Sequence, residues 1–142
     1  MEEFIVGYTT GVFDLFHIGH LNVLRKAKEH CDYLIVGVTT DEEVLRVKER
    51  MPIIPFEERI EIVSALEFVD QAVPEHDVDK LVAWEEHQYD TIFKGDDWKG
   101  SEKWNKYEEE FDKRDVKVTY FPYTKGTSST HLRKILQKFL DA

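Results

Sequence analysis

The sequence predicts an open, doubly wound α/β fold: a mainly parallel five-stranded sheet with helices on both faces. Short apolar, β-branched runs alternate with segments of helical spacing along the whole chain. The run Tyr33–Thr39 (YLIVGVT) is continuously apolar rather than alternating, the pattern of a strand covered on both faces. A strand, a helix and a second strand fit within the first forty residues, and parallel strands joined in this way need a right-handed crossover.

The elements follow in order. Phe4–Thr9 reads as a buried strand closed by Gly11, and Leu21, Leu24, Ala27 and Lys28 recur at helical spacing within a helix over Gly19–His30. Tyr33–Thr39 is the second strand, and Asp41–Lys48 a short helix. Pro52 and Pro55 interrupt the loop before a helical period resumes over Glu57–Leu66. Phe68–Val73 is the third strand, Val78–His87 a helix, Thr91–Phe93 a short strand, Glu102–Arg114 a charged helix and Val116–Phe121 the last strand. Ser128–Leu140 closes the chain, with Ser128, Ser129 and Thr130 as N-cap candidates and Leu132, Ile135, Leu136 and Phe139 on one apolar face.

Length and composition bound the function. A chain of 142 residues fits one domain over 1–142, and 42% hydrophobic with 13% aromatic residues supports a real core without disulfides. Asp and Glu outnumber Lys and Arg by 29 to 19, a formal charge of −10 that argues against general affinity for nucleic acid or anionic membranes. Any phosphate site is therefore local. The single cysteine, Cys31, excludes an internal disulfide and reads as packed rather than reactive. With neither a signal-like N-terminus nor an apolar run of transmembrane length, a cytoplasmic protein without membrane insertion is expected.

In doubly wound sheets ligands bind outside the carboxyl ends of the strands, where strand order reverses. Gly11–His20 (GVFDLFHIGH) follows the first strand and opens the first helix. The free N–H groups and positive dipole of a helix N-terminus suit a nucleotide's phosphates, and Gly19 lets phosphate approach the backbone. His17 and His20, three residues apart, can turn both rings to one ligand and stabilise charge that builds during phosphoryl-type transfer. Two histidines at this spacing also suit zinc, although no third histidine or cysteine stands nearby, and either alone reads as a structural histidine. Asp14 reads as a turn or helix-cap residue. Ser128 and Ser129 offer a second helix N-terminus rich in hydroxyls, and Lys48, Arg50, Lys94, Lys125 and Arg133 are the cations nearest these loops.

The pattern GxFDxxHxGH over Gly11–His20 resembles the hallmark of the cytidylyltransferase-like nucleotidyltransferase superfamily, whose fold is Rossmann-like. Three further blocks are similar to those of the small bacterial glycerol-3-phosphate cytidylyltransferases: Lys94–Gly100 (KGDDWKG), Thr124–Thr130 (TKGTSST), and Glu57-Glu58-Arg59 with Phe68-Val69-Asp70. The resemblance implies direct attack of a phosphorylated alcohol, sn-glycerol 3-phosphate first, on the α-phosphorus of CTP. The products are CDP-glycerol, a precursor for a surface polymer such as teichoic acid, and pyrophosphate. It implies His17, His20 and Lys48 as catalytic residues. Thr10, Gly11, Val12, Phe13, Gly19, Gly95, Asp97, Trp98, Thr124, Thr127, Ser128 and Ser129 are implied to bind the nucleotide. Lys48, Arg50, Tyr123 and Lys125 are implied to meet the acceptor.

Gly95 allows close backbone approach, Asp97 can accept from ribose or base, and Trp98 offers a wall to the base. Mg²⁺ is expected to arrive on the triphosphate, without a metal site made by the protein. A homodimer is implied, with Trp104 and Tyr107 placed over the pocket or at a subunit contact. Three positions depart from the pattern: Tyr123 stands where arginine is usual, Glu67 where a cation is usual, and Val12 where threonine is frequent. An ATP-dependent adenylyltransferase acting on a sugar phosphate or FMN, and an inactive nucleotide-binding protein, are the alternatives.

Overall fold

The β-branched and aromatic runs form strands and the amphipathic runs form helices in strict alternation. The computed structural model describes residues 3–122 and 128–141, with the side chain of Asp97 left out. The described elements are β1 (Val6–Gly11), α1 (Ile18–Glu29), β2 (Tyr33–Thr39), α2 (Asp41–Lys48), α3 (Phe56–Ser64), β3 (Gln71–Glu75), α4 (Lys80–His87), β4 (Thr91–Gly95), a 3₁₀ turn (Asp96–Trp98), α5 (Glu102–Lys113), β5 (Lys117–Phe121) and α6 (Ser129–Asp141). The sheet runs β3-β2-β1-β4-β5. All its pairings are parallel, so the fold is the doubly wound sheet that the alternation predicts. The order reverses between β1 and β4, which makes the carboxyl ends of these two strands the place for a ligand.

Each strand sends alternate side chains to opposite faces. Leu34, Val36 and Val38 of β2 join Leu24 and Ala27 of α1 and Val63 of α3 in one core. Ile35 of β2 joins Tyr8, Ile92, Ala83, Trp104 and Phe111 in the other, beneath α4 and α5. Gly7 is required at its place in β1, because a Cβ there would lie 2.6 Å from Phe93 Cε2 and 2.8 Å from Cys31 Sγ.

Several boundaries differ from the sequence reading, at β1 and β3 because a side chain takes the place of the ladder and at β4 because the ladder runs on. β1 starts at Val6 rather than Phe4, since the Asp32 and Asp90 carboxylates accept the N–H groups of Ile5 and Val6 at 2.7 and 2.8 Å. β3 starts at Gln71 rather than Phe68. There Asp70 accepts Leu34 N–H at 2.8 Å through its carboxylate, while Val69 N–H closes a turn onto Leu66 O at 3.1 Å. β4 continues past Phe93 to Gly95, which pairs with Phe121.

One expectation about the helices is corrected. Trp104 lies neither over a pocket nor on the surface: it is buried in the core, and the Tyr107 hydroxyl sits between Lys80 N–H and the Asp79 carboxylate. The apolar face of α6 does not pack into the sheet, and no residue of α6 is buried. Both sheet faces are already covered by α1 and α3 on one side and α4 and α5 on the other, so Phe139 is left 76% exposed. No described helix is long and apolar enough to cross a membrane.

Candidate active site

Leaving β1, the chain must reverse within six residues to start α1, and it does so with Phe13 and Leu15 at positive φ (56° and 52°). Left-handed backbone costs a non-glycine residue about 1–2 kcal/mol, so other contacts hold this turn in place. The Phe13 ring folds back over Gly11, where a Cβ would lie only 3.0 Å from Phe13 Cζ, and meets His20 edge-on at 5.4 Å. Asp14 does not cap α1. It is buried, and its two carboxylate oxygens accept Ile53 N–H and Ile54 N–H at 2.9 Å each, which ties the loop before α3 to the turn.

Arg59 completes the support. Fully buried on α3, it donates to Val12 O and Thr39 O at 2.7 Å each and to Ile54 O at 2.9 Å, and pairs with Asp41 at 2.7 Å. Its sequence signal is a cation on the face of α3 that also carries Phe56 and Val63.

His17 is the N-cap of α1. Its Nδ1 accepts Gly19 N–H at 3.0 Å, while His20 Nδ1 accepts His17 N–H at 3.2 Å, a capping box built from two imidazoles. Each Nδ1 is thereby an acceptor, so each neutral ring carries its proton on Nε2 and offers an Nε2–H donor. The rings lie 3.9 Å apart. Burial, reinforced by His17, pushes the pKa of His20 down to about 4 against a smaller opposing pull from Asp14, and burial lowers that of His17. The pair is therefore neutral at physiological pH. No acidic residue occupies the first turn of α1 or of α6, so both N-terminal dipoles stand uncompensated by a carboxylate there.

Beside the turn is a cavity of ≈ 280 Å³. Of the residues expected to work together, the structure gathers Thr10, Gly11, Val12, Phe13, His20, Lys48, Arg50 and Ser129 around it, and adds Asp14 and Arg133. Lys48 and Arg133 are held below their ordinary pKa by burial first and by Arg50 next. Ser129 donates its hydroxyl to Asp14 O, and Ser128 Oγ accepts His131 N–H at 3.0 Å, so both serines are engaged in local structure. His17 and Gly19 open α1 and Ser128 precedes α6, and these three do not line the cavity.

Gly95 and Trp98 do not line it. Gly95 ends β4, the neighbour of β1, Trp98 lies in the 3₁₀ turn after it, and Trp98 is 44% exposed with Lys94 Nζ 5.1 Å above its ring. Glu67 stands exposed after α3, outside the cavity. Tyr123, Thr124, Lys125, Thr127 and the side chain of Asp97 lie outside the described residues.

Among the described residues no three His, Cys, Asp or Glu side chains gather to hold a metal. The one carboxylate of the cavity, that of Asp14, already accepts two backbone amides.

Residues 8–135 match the family described as Cytidylyltransferase-like. The chain is 39% identical over 127 residues to the glycerol-3-phosphate cytidylyltransferase of Bacillus spizizenii, covering 89% of this chain and 92% of that protein. It is 35% identical over 133 residues to the enzyme of the same name from Bacillus subtilis, again covering 89% of this chain and 92% of the relative. Among solved structures, the lipopolysaccharide core biosynthesis protein of Thermoplasma volcanium superposes with a TM-score of 0.70 at 30% identity, over 87% of this chain and 98% of the other. A match that runs from the first strand into the last helix shows the family, and the protein belongs to the cytidylyltransferase-like family.

Proposed function

We propose that the protein is a nucleotidyltransferase that moves CMP from CTP to a small phosphorylated alcohol, sn-glycerol 3-phosphate before others. The observation that carries this reading is the reciprocal lock of His17 and His20 at the start of α1, with His20 lining a cavity that also holds Lys48, Arg50 and Arg133. A phosphate oxygen of the acceptor attacks the α-phosphorus of CTP, the bond from that phosphorus to the β-phosphate bridging oxygen breaks, and pyrophosphate leaves with the electron pair. The two Nε2–H groups donate to the oxygens on which negative charge builds, and the backbone N–H groups at the start of α1 hold the triphosphate. Lys48 and Arg50 neutralise the incoming phosphate, and positioning supplies most of the rest. Mg²⁺, when bound to the triphosphate, offsets its charge.

The names of the relatives from the two Bacillus species support the nucleotide and the acceptor. An adenylyltransferase is the second reading, favoured by Val12, since the GVFD form is also found in heptose-phosphate adenylyltransferases. A homodimer belongs to the same proposal. The test is pyrophosphate release with Mg²⁺ across CTP, ATP, UTP and GTP against glycerol 3-phosphate, ethanolamine phosphate, choline phosphate, ribitol phosphate, heptose 1-phosphate and FMN. One dominant response with CTP and glycerol 3-phosphate is expected, and a dominant response with ATP would replace this reading with the second. Removing one charge-stabilising donor in such a site costs about 100- to 1,000-fold in kcat. His17→Ala is expected to lose that much, and unchanged turnover would remove His17 from the mechanism.

A further inference from the structure

Lys80 is a buried lysine that the transfer chemistry above leaves without a task. It is the first residue of α4 and only 8% exposed, a place lysine takes rarely and only when paired. Its main chain is pinned at both polar atoms: Lys80 N–H donates to the Tyr107 hydroxyl at 3.2 Å, and the Tyr89 hydroxyl donates to Lys80 O at 2.7 Å. Its Nζ donates to Glu75 Oε2 at 3.0 Å and to Thr10 Oγ1 at 3.1 Å. Glu75, equally buried, uses its other oxygen to accept the Thr39 hydroxyl at 2.7 Å. Thr10, Thr39 and Glu75 stand at the carboxyl ends of β1, β2 and β3, so the cluster spans the end of the sheet on which this fold places ligands.

The polarity of these bonds gives the cluster a direction. An ammonium group carries donors and no lone pair, so Thr10 Oγ1 accepts from Lys80 and cannot donate to it. Among the described residues this is the one hydrogen bond of the Thr10 hydroxyl, whose own hydrogen is left for an acceptor outside the protein. Thr10 lines the cavity, whereas Lys80 and Glu75 do not. Accepting from a cation polarises the hydroxyl and strengthens it as a donor. Lys48, Arg50 and Arg133 outnumber the single carboxylate of Asp14 around the same cavity, so the acceptor that fits there is an anionic oxygen. A buried ion pair is a weak source of stability, because apolar residues of similar volume often do as well, and this points to orientation as the task of Glu75 and Lys80.

We propose that Lys80, held by Glu75, is a positioning residue: it fixes the Thr10 hydroxyl as a hydrogen-bond donor to a phosphate oxygen of the ligand in the cavity, and acts on that ligand only through Thr10. This rests on the nucleotidyl-transfer reading above for the phosphate class of the ligand, and it holds for whichever substrate places its phosphate there.

The test is a double-mutant cycle of Lys80→Met and Thr10→Val on the full chain, read by calorimetric binding of CTP with Mg²⁺, of glycerol 3-phosphate and of inorganic phosphate. Pyrophosphate release and thermal unfolding are followed on the same proteins. A lost hydrogen bond to a charged group weakens binding by about 10- to 100-fold. Thr10→Val is expected to lose that much for at least one of these probes, and Thr10→Ser to keep most of the parent affinity. Lys80→Met weakens the same probe, yet added to Thr10→Val it costs less than about 2-fold more. A lysine that only braced the fold would lower the unfolding temperature without this non-additivity in affinity. Where Lys80→Met does not fold, Lys80→Met combined with Glu75→Gln leaves no unpaired carboxylate and takes its place. Losses that multiply in the double variant overturn the proposal, and so does a Thr10→Val protein that binds every probe as the parent does, or a parent that binds none of them. Pyrophosphate release alongside any of those results leaves the transfer reading intact. Phosphate binding through Thr10 in a parent that releases no pyrophosphate overturns the transfer reading and leaves the role of Lys80 standing.

Discussion

At the scale of single residues the two histidines hold the start of α1 through their own rings. Each Nδ1 accepts a backbone N–H that helix geometry leaves orphaned, so in the neutral ring the proton sits on Nε2. A protonated Nδ1 could not accept, so charging either ring breaks the cap as well as adding a buried charge. The pKa of His20 is about 4 in the folded protein against about 6.5 for an unperturbed histidine. Between those values the unfolded chain binds the proton and the folded chain does not, so stability from this group is complete above about pH 6.5 and is lost as pH falls toward 4. His20→Gln is expected to flatten that acid slope in denaturant unfolding measured across a pH series. An unchanged slope would show that the imidazole titrates normally in the fold.

At the scale of elements, the turn after β1 is held by residues from three distant segments rather than by its own sequence. Arg59 of α3 holds Val12 O, Asp14 holds the loop before α3, and Ser129 of α6 holds Asp14 O. Arg59→Ala removes the charge partner of Asp41 and leaves three backbone carbonyls without their donor. Breaking a buried pair of this kind costs about 3–5 kcal/mol. That loss is expected in urea unfolding, together with a fall in turnover, since the histidine turn loses its anchor. Gly7→Ala probes β1 in another way, because the added methyl would meet the Phe93 ring at 2.6 Å and Cys31 Sγ at 2.8 Å. Overpacking costs about 1–3 kcal/mol. A stability change below about 0.5 kcal/mol would mean that the core there gives way easily.

At the scale of the whole molecule, a sheet whose order reverses between β1 and β4 places the connections that follow these two strands side by side. The histidine turn follows β1, the 3₁₀ turn follows β4, and α6 closes onto the first of these through Ser129 and Arg133. On the proposed function, a nucleotide bound across these connections would stabilise the folded state as a unit. CTP with Mg²⁺ at one hundred times its dissociation constant is expected to add about 2.7 kcal/mol to unfolding, read as one cooperative transition moved to higher temperature. GTP at the same concentration is expected to move it less, and equal shifts would remove base selection from the site.

The sequence by itself determined the alternation of strands and helices, the parallel sheet and the placing of His17, His20 and Gly19 at the first strand-to-helix turn. These are legible because side-chain periodicity and helix-start chemistry are local properties of neighbouring residues. Only the tertiary structure decided that Asp14 is an anchor, that Trp104 is core, that α6 lies outside both cores and that Arg133 enters the cavity. Asp14 and Arg133 are 119 residues apart, and their meeting depends on how α6 crosses the end of β1. The same limit applies to β1 and β3, whose starts are set by the carboxylates of Asp32, Asp90 and Asp70 reaching backbone amides of other segments. Such contacts leave no periodic trace, because they are made by packing geometry between segments that the chain order keeps far apart.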